Sequence, residues 1–221
     1  MAELLITGDG LRAILPPTVA CAQLLGESTD AEVRTDEQHL VGRGARAMQS
    51  VLARRCAREA LGEIGFAHMP IGRQDSGAPA WPVGIVGSLT HTDGYLGAAV
   101  GLGRHHRAIG IDAEPNEPVG GAHRAFTTED EIHQLAELGH YFGNEIAWER
   151  LLFSTKEAAY KAFHTLTDRT LPMTGARSRV FPDGTFVVTT TRPNRHRGER
   201  WDWPGRWCRY DDFLLAAVVV S

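Results

Sequence analysis

Two carboxylates sit where the sequence could bind a cation. Asp112 and Glu114 lie two residues apart at the end of the apolar run AIGIDAEP, residues 108–115. Because side chains alternate along a strand, both carboxylates project from one face. Oxygen ligands at a strand exit suit a hard cation such as Mg²⁺, which completes its shell with water and phosphate oxygens. The D-x-E pattern alone favours the alternative, a solvated acidic turn before Pro115.

A second segment, FSTKEAAYK, carries both lysines of the chain. The 23 basic residues comprise 21 Arg and only two Lys, Lys156 and Lys161. An ammonium is a compact point charge that can release a proton near neutral pH, whereas a guanidinium stays charged. On a helix Glu157 and Lys161 are i,i+4 neighbours. The segment therefore predicts either an exposed salt bridge or a site that requires amines.

The two segments become more specific in combination. If Glu157 joins Asp112 and Glu114, three carboxylates converge, and they would repel one another without a metal ion. Two further features could belong to the same site: the end of the strand GSLTH at His91, and arginines on one side of the first long helix, namely Arg46, Arg54 and Arg58. Arginine forks match phosphate oxygens, although a packed histidine and a solvated basic face are the default interpretations.

The elements that must position these residues form an α+β pattern. A helix is predicted over residues 44–61, followed by strands over 83–90, 95–101 and 108–113. A capping box at Thr128 and Glu131 starts a short helix that should stop at Gly139. A longer helix over 144–164 precedes strands over 177–181, 185–191 and 213–220. We therefore expect two similar subdomains, residues 1–115 and 116–221, each a long helix packed on a three-stranded antiparallel sheet, with the site at their interface.

Composition excludes several classes of protein. The chain has 221 residues, 43% of them apolar, and a net charge of −4, which is typical of a globular protein rather than a disordered one. It contains no apolar run long enough for a membrane span, and its three widely spaced cysteines favour a reducing cytoplasm. Its mild acidity argues against a nucleic-acid-binding role.

The motifs together resemble a known family. WPVGIVGSLTH (residues 81–91), GIDAEP (110–115) and FSTKEAAYK (153–161) are similar in order and spacing to the 4′-phosphopantetheinyl transferases of the Sfp superfamily, in particular its EntD-like actinobacterial branch. The resemblance extends over about residues 44–171. It implies the two-subdomain transferase fold and transfer of phosphopantetheine from coenzyme A to a serine of an apo acyl, peptidyl or aryl carrier protein, with release of adenosine 3′,5′-bisphosphate. It leaves the pathway open between siderophore, polyketide, nonribosomal peptide and lipid synthesis.

The resemblance also implies a role for each matching residue. It makes Asp112, Glu114 and Glu157 ligands of Mg²⁺, or of Mn²⁺ in its place. Glu157 or a bound water would take the serine proton, and Lys161 would stabilise or protonate the departing oxygen. The residues implied to bind coenzyme A are Arg46, Arg54, Arg73 and His91 at the 3′-phosphate, Lys156 and Lys161 near the pyrophosphate, and Ser88 and Thr90 beside the nucleotide. Arg73 stands where the family often has lysine, and Thr170 stands near a position where close relatives have tryptophan.

Other functions remain open at this point. The same carboxylates could serve another Mg²⁺-dependent phosphoryl or nucleotidyl transferase or a pyrophosphatase, which would need no grip on a 3′-phosphate. A catalytically inactive relative could bind only coenzyme A or carrier proteins, although the intact acidic and lysine positions argue against it. We expect a cytoplasmic monomer with no membrane or nucleic-acid partner.

Overall fold

The secondary structure alternates helices with antiparallel strands. The computed structural model describes residues 9–26, 45–67, 69–190 and 201–221. Its helices are α1 (Leu11–Ile14), α2 (Ala45–Glu63), α3 (Glu129–Phe142) and α4 (Trp148–Thr167). Its strands are β1 (Val19–Leu25), β2 (Gly72–Arg73), β3 (Pro79–Ala80), β4 (Ile85–Thr92), β5 (Tyr95–Leu102), β6 (Ala108–Pro115), β7 (Ala176–Val180), β8 (Thr185–Thr190), β9 (Asp202–Tyr210) and β10 (Phe213–Val220).

Two large antiparallel sheets organise the described part of the chain, and β2 and β3 form a third, two-stranded one. The smaller sheet has the strand order β1-β5-β4, and the larger has the order β6-β10-β9-β8-β7. Helix α2 packs on the smaller sheet and α4 packs on the larger one, so each long helix buries its apolar side against strands. The predicted α+β class with antiparallel sheets is confirmed.

The make-up of each sheet corrects the sequence prediction. Strand β6 was expected to be the third strand of the first unit, but it pairs with β10 in the larger sheet. Strand β1, which was not predicted, takes that place by pairing with β5. The reason is burial: β6 and β10 are both almost wholly buried apolar strands and pair along their full length. A division of the chain at residue 115 stays a prediction, whereas the sheets change between β5 and β6.

Strand β9 was also missed, since no strand was predicted between residues 191 and 213. Pro204 is opposite Val187 of β8, while pairing with β10 begins only at Gly205. The missing N–H of Pro204 therefore falls where β9 has no neighbour on its other side. A side chain at position 205 would overlap the ring of Phe186, so this tight packing requires glycine.

The predicted start of α3 is confirmed, and its end is not. Thr128 and Glu131 form the expected capping box. The helix continues through Gly139 to Phe142, however, and ends at Gly143, which has a φ of 74°. The next helix begins at Trp148 rather than at residue 144. In the described residues, no helix combines the length and the apolar character needed to cross a membrane.

A seam of side-chain hydrogen bonds joins the two sheets. The Ser88 hydroxyl of β4 accepts from the Ile111 N–H of β6 at 3.1 Å, and the Thr90 hydroxyl accepts from the Ala113 N–H at 3.0 Å. These buried hydroxyls satisfy backbone donors that a neighbouring strand would otherwise satisfy. The seam therefore fixes β6, and with it Asp112, against the smaller sheet.

Candidate active site

A groove of about 650 Å³ opens between α4 and the β4 edge of the smaller sheet. The segment before β4 and β4 itself line one side with Trp81 and Ser88, and α4 lines the other with Tyr160, Lys161 and His164. A second hollow of about 390 Å³ shares Tyr160 and Thr170 with this large groove. The small hollow is also lined by Glu157, Leu171, Pro172 and Met173. One face of α4 thus borders both spaces.

Glycine determines how closely α4 approaches β6. A Cβ atom at Gly110 would overlap the carbonyl oxygen of Ala158 and lie 2.8 Å from the Ala162 nitrogen. The helix backbone therefore rests directly on the strand. This contact brings the α4 face that carries Glu157 and Lys161 alongside Asp112.

Asp112 is a buried carboxylate with one unsatisfied oxygen. Its side chain is 8% exposed, and Oδ1 accepts from the Lys161 ammonium at 2.8 Å and from the Thr90 hydroxyl at 3.4 Å. Oδ2 is buried and has no hydrogen-bond partner in the described part of the chain. Because a buried charged oxygen without a partner is costly, this atom has the chemistry expected of a cation ligand.

The two glutamates near Asp112 hold protons more tightly than free glutamate. Burial, followed by the charge of Asp112, raises the pKa of Glu114 to about 7, although Arg150 opposes the shift. Burial and Asp112 also raise the pKa of Glu157, and Lys161 opposes that shift. Both glutamates therefore experience the negative charge of Asp112, so the three predicted carboxylates do share one region.

These carboxylates do not form a closed metal site by themselves. Among the described residues, no group of three His, Cys, Asp or Glu side chains is already arranged around a common centre. Lys161 occupies one oxygen of Asp112, and Arg150 contacts Glu114 at 3.2 Å. Mg²⁺ sites commonly use one or two carboxylates and draw their other ligands from water and substrate phosphates. The donor set fits such an open site.

The residues expected at the 3′-phosphate lie in different settings. Arg73 and His91 are exposed, on β2 and at the end of β4. Arg54 is 2% exposed, and its guanidinium donates to the Ile71 and Gly72 carbonyls, which ties α2 to β2. Arg46 falls within α2, but its side chain lies outside the described residues. Their contact with a phosphate stays a prediction.

Ser88 and Thr90 contribute differently from one another. Ser88 lines the large groove, as expected of a residue beside a nucleotide, although its hydroxyl also belongs to the seam. Thr90 is 2% exposed, and its hydroxyl contacts Ala113 and Asp112. Its geometry supports a role in orienting Asp112.

Lys156 does not lie with the other predicted site residues. It is 1% exposed, and its ammonium donates to the Phe126 carbonyl, the Glu131 carboxylate and the Met173 carbonyl. Lys161 lies five positions after Lys156 in the helix, which turns their side chains about 140° apart. That angle could have been read from the sequence, and it explains why only Lys161 reaches Asp112.

Sequence reasoning also missed residues that fix the site. Arg150 donates to Glu114 and to the Glu117 carbonyl, both at 3.2 Å. Asn116 accepts from the Ala147 N–H and donates to the Glu145 carbonyl, both at 2.8 Å, so it ties the start of α4 to the end of β6. The sequence did contain a signal for Arg150, because this residue lies one helical turn before the FSTKEAAYK segment.

Comparison with known proteins identifies the family. The model of the 4′-phosphopantetheinyl transferase N-terminal domain matches residues 37–101, and the model of the 4′-phosphopantetheinyl transferase superfamily matches residues 108–218. The chain belongs to the 4′-phosphopantetheinyl transferase superfamily. The two models adjoin at the β5–β6 connection, where the sheets also change.

Curated relatives place this transferase in the actinobacterial group that the motifs indicated. It is 36% identical to the 4′-phosphopantetheinyl transferase Npt of Nocardia iowensis, over 96% of this chain and 100% of that protein. It is 36% identical to PptT of Mycobacterium tuberculosis, over 96% and 99% of the two chains. It is 39% identical to Svp of Streptomyces mobaraensis, over 75% and 69%. The transferase is thus an enzyme that moves phosphopantetheine to carrier proteins.

Proposed function

We propose that the large groove binds coenzyme A beside a Mg²⁺ ion, and that the phosphopantetheine group passes from coenzyme A to a serine of an apo carrier protein. The observation that supports this most is the buried, unpartnered Oδ2 of Asp112, next to Lys161 at the edge of the groove. Asp112, Glu114 and Glu157 would hold the ion. When bound, Mg²⁺ neutralises the pyrophosphate charge, which favours attack by an anionic nucleophile.

Different residues around the groove would bind different parts of coenzyme A. Lys161 is 27% exposed, so its ammonium can face a phosphate while it orients Asp112. Trp81 and Tyr160 supply aromatic surface on opposite sides of the large groove. The small hollow beside Glu157 has the position expected for the phosphopantetheine arm. Arg46, Arg54, Arg73 and His91 remain the proposed contacts of the 3′-phosphate.

The proposed reaction transfers one phosphoryl-linked group. The serine Oγ forms a bond to the β-phosphorus of coenzyme A, and the bond from that phosphorus to the bridging oxygen breaks. Adenosine 3′,5′-bisphosphate leaves with the electron pair. Glu157 accepts the serine proton, directly or through water. Lys161 stabilises the charge on the departing phosphate.

Intact-mass spectrometry of an apo carrier protein tests this function. The carrier is incubated with the transferase, coenzyme A and Mg²⁺, using acyl, peptidyl and aryl carriers in parallel. We expect one phosphopantetheine to be added to the carrier serine, and the addition to disappear when Mg²⁺ is chelated or when Glu157→Gln replaces the wild type.

Two results would contradict the proposal. Transfer that persists in a chelator would exclude the cation site. Binding of coenzyme A without transfer to any carrier would indicate an inactive relative.

A further inference from the structure

An interior ion pair joins α3, α4 and two connecting segments, those of Phe126 and Met173. Lys156 of α4 and Glu131 of α3 have side chains that are 0% and 3% exposed, and they lie 2.9 Å apart. The Lys156 ammonium also donates to the Phe126 carbonyl at 2.7 Å and to the Met173 carbonyl at 3.2 Å. An ammonium has three protons, so these acceptors satisfy it completely.

The Glu131 carboxylate also has several hydrogen-bond donors. Its carboxylate accepts from the Ser178 N–H of β7 and from the Thr128 N–H at the start of α3, both at 2.7 Å. The same carboxylate accepts from Lys156. Because a buried carboxylate needs several donors to remain ionised, the pair and its backbone partners form one closed network.

The network lies directly behind the small hollow. The Met173 carbonyl accepts from Lys156, and Met173 lines this hollow. Glu157, which follows Lys156 in α4, lines the hollow as well. Phe126, whose carbonyl also accepts from Lys156, packs its ring on Phe153 with 5.1 Å between centroids. The pair therefore holds two connecting segments against the turn of α4 that presents Glu157.

We propose that Lys156 and Glu131 form a positioning pair, which shapes the small hollow beside Glu157, and that Lys156 does not contact the coenzyme A pyrophosphate. A phosphate contact would require the ammonium to give up three interior acceptors and leave Glu131 buried without its partner, which is strongly unfavourable. The proposal depends on the proposed function only in treating this hollow as the place of the phosphopantetheine arm.

Three variants of the full chain separate the two roles: Lys156→Met, Glu131→Gln and the double variant. Each is assayed by thermal unfolding, by titration with coenzyme A and with adenosine 3′,5′-bisphosphate, and by transfer kinetics. Lys161→Met is the matched control, because it removes the same charge from the other lysine of α4.

If the two residues form a positioning pair, both single variants should lose thermal stability and transfer activity. We expect each single variant to lower the Tm by roughly 10 °C, and the double variant to lose clearly less than the sum of the two. Affinity for adenosine 3′,5′-bisphosphate, which lacks the arm, should stay within about twofold of the wild type, while kcat falls. Lys161→Met should instead weaken binding of the bisphosphate.

Other results would overturn the proposal. A tenfold loss of bisphosphate affinity in Lys156→Met, with Glu131→Gln unaffected, would make Lys156 a phosphate ligand. Strictly additive Tm losses would show that the two residues do not act as a pair. If Lys156→Met does not fold, Glu131→Gln decides alone, since a phosphate ligand predicts wild-type kinetics there.

The same titrations distinguish failure of this proposal from failure of the proposed function. Wild-type protein that binds neither coenzyme A nor the bisphosphate would contradict the function, while the Tm coupling would still test the pair. Wild-type protein that binds and transfers, combined with uncoupled variants, would contradict the pair alone.

Discussion

At the scale of single residues, Asp112 combines burial, charge and incomplete satisfaction. Lys161 and Thr90 both contact Oδ1, which leaves Oδ2 without a partner in the described part of the chain. Such an atom destabilises the folded state, because a buried charged oxygen that lacks a hydrogen bond reduces stability. A bound cation would remove that cost, which is why Asp112 supports the proposed site more than the partly exposed carboxylates do.

Replacing Asp112 with asparagine tests this argument. The substitution keeps the shape and removes the charge, so we expect Mg²⁺ affinity, measured by calorimetry, and transfer activity to fall by about 100-fold or more. Asp130→Asn is the control, since Asp130 is 72% exposed and forms a surface ion pair with Arg177. Equal activity in the two variants would refute the role of Asp112.

The raised pKa of Glu114 predicts how stability depends on pH. The native state binds this proton more tightly than the unfolded chain does, since the pKa rises from an ordinary value near 4.5 to about 7. Its stabilising effect is therefore present below about pH 4.5 and is lost as pH rises through 7. We expect the Tm of the cation-free wild type to fall between pH 5 and pH 7, relative to the Tm of Glu114→Gln.

The same shift predicts a pH-dependent cation affinity. Protons and Mg²⁺ compete for the carboxylates, so Mg²⁺ affinity should rise with pH and level off above about pH 7. Calorimetric titrations at several pH values measure this directly. Parallel Tm profiles for wild type and Glu114→Gln, or an affinity that does not change with pH, would exclude the titration of Glu114.

At the scale of elements, the site depends on how closely α4 lies on β6. Polar contacts hold the two together, with Asn116 and Arg150 near the start of the helix and Lys161 about three turns later. Beside the Lys161 contact, Gly110 lets the backbones meet. The carboxylates of a strand and a helix come together because this packing admits no side chain.

A methyl group at position 110 should therefore separate the carboxylates. Gly110→Ala would force α4 away from β6, and we expect a loss of about 3 kcal/mol of unfolding free energy together with most of the activity. Gly121→Ala is the control, because no atom lies within 4 Å of the Cβ position there. Denaturant unfolding and the mass assay measure both effects, and an unchanged Gly110→Ala protein would contradict the close packing.

At the scale of the whole molecule, the two sheets are joined by side chains rather than by a continuous ladder. Thr90 is central to this seam, since it accepts from the Ala113 N–H and donates to Asp112. Ser88, the other hydroxyl of the seam, lines the large groove. Buried hydroxyls therefore help to place the two sheets relative to each other, together with the apolar residues packed between them.

Removing one of these hydroxyls should weaken both the fold and the site. Thr90→Val keeps the shape but leaves the Ala113 N–H without an acceptor, so we expect a loss of about 1–3 kcal/mol and weaker binding of coenzyme A. Thr189→Val is the control, as its hydroxyl makes an exposed bond to Asp202. Equal unfolding free energies for the two variants would show that the seam contributes nothing.

The sequence by itself determined the family and the α+β class, and it singled out the three acidic residues and Lys161 that the structure brings into one region. These follow from short-range order: the two-residue period of a strand places Asp112 with Glu114, and the helical period places Glu157 with Lys161. The capping box at Thr128 is equally local. The motifs that carry the resemblance lie within such segments, so they could be recognised without any contact map.

Only the tertiary structure decided which sheet receives β6, which lysine faces the groove and which arginine contacts Glu114. Strand β6 pairs with β10, about 100 residues away along the chain, and such pairings depend on competition among all buried strands. Lys156 is directed inward because its acceptors come from three distant segments. Local sequence patterns carry little information about contacts between distant segments, and packing of the whole chain selects them.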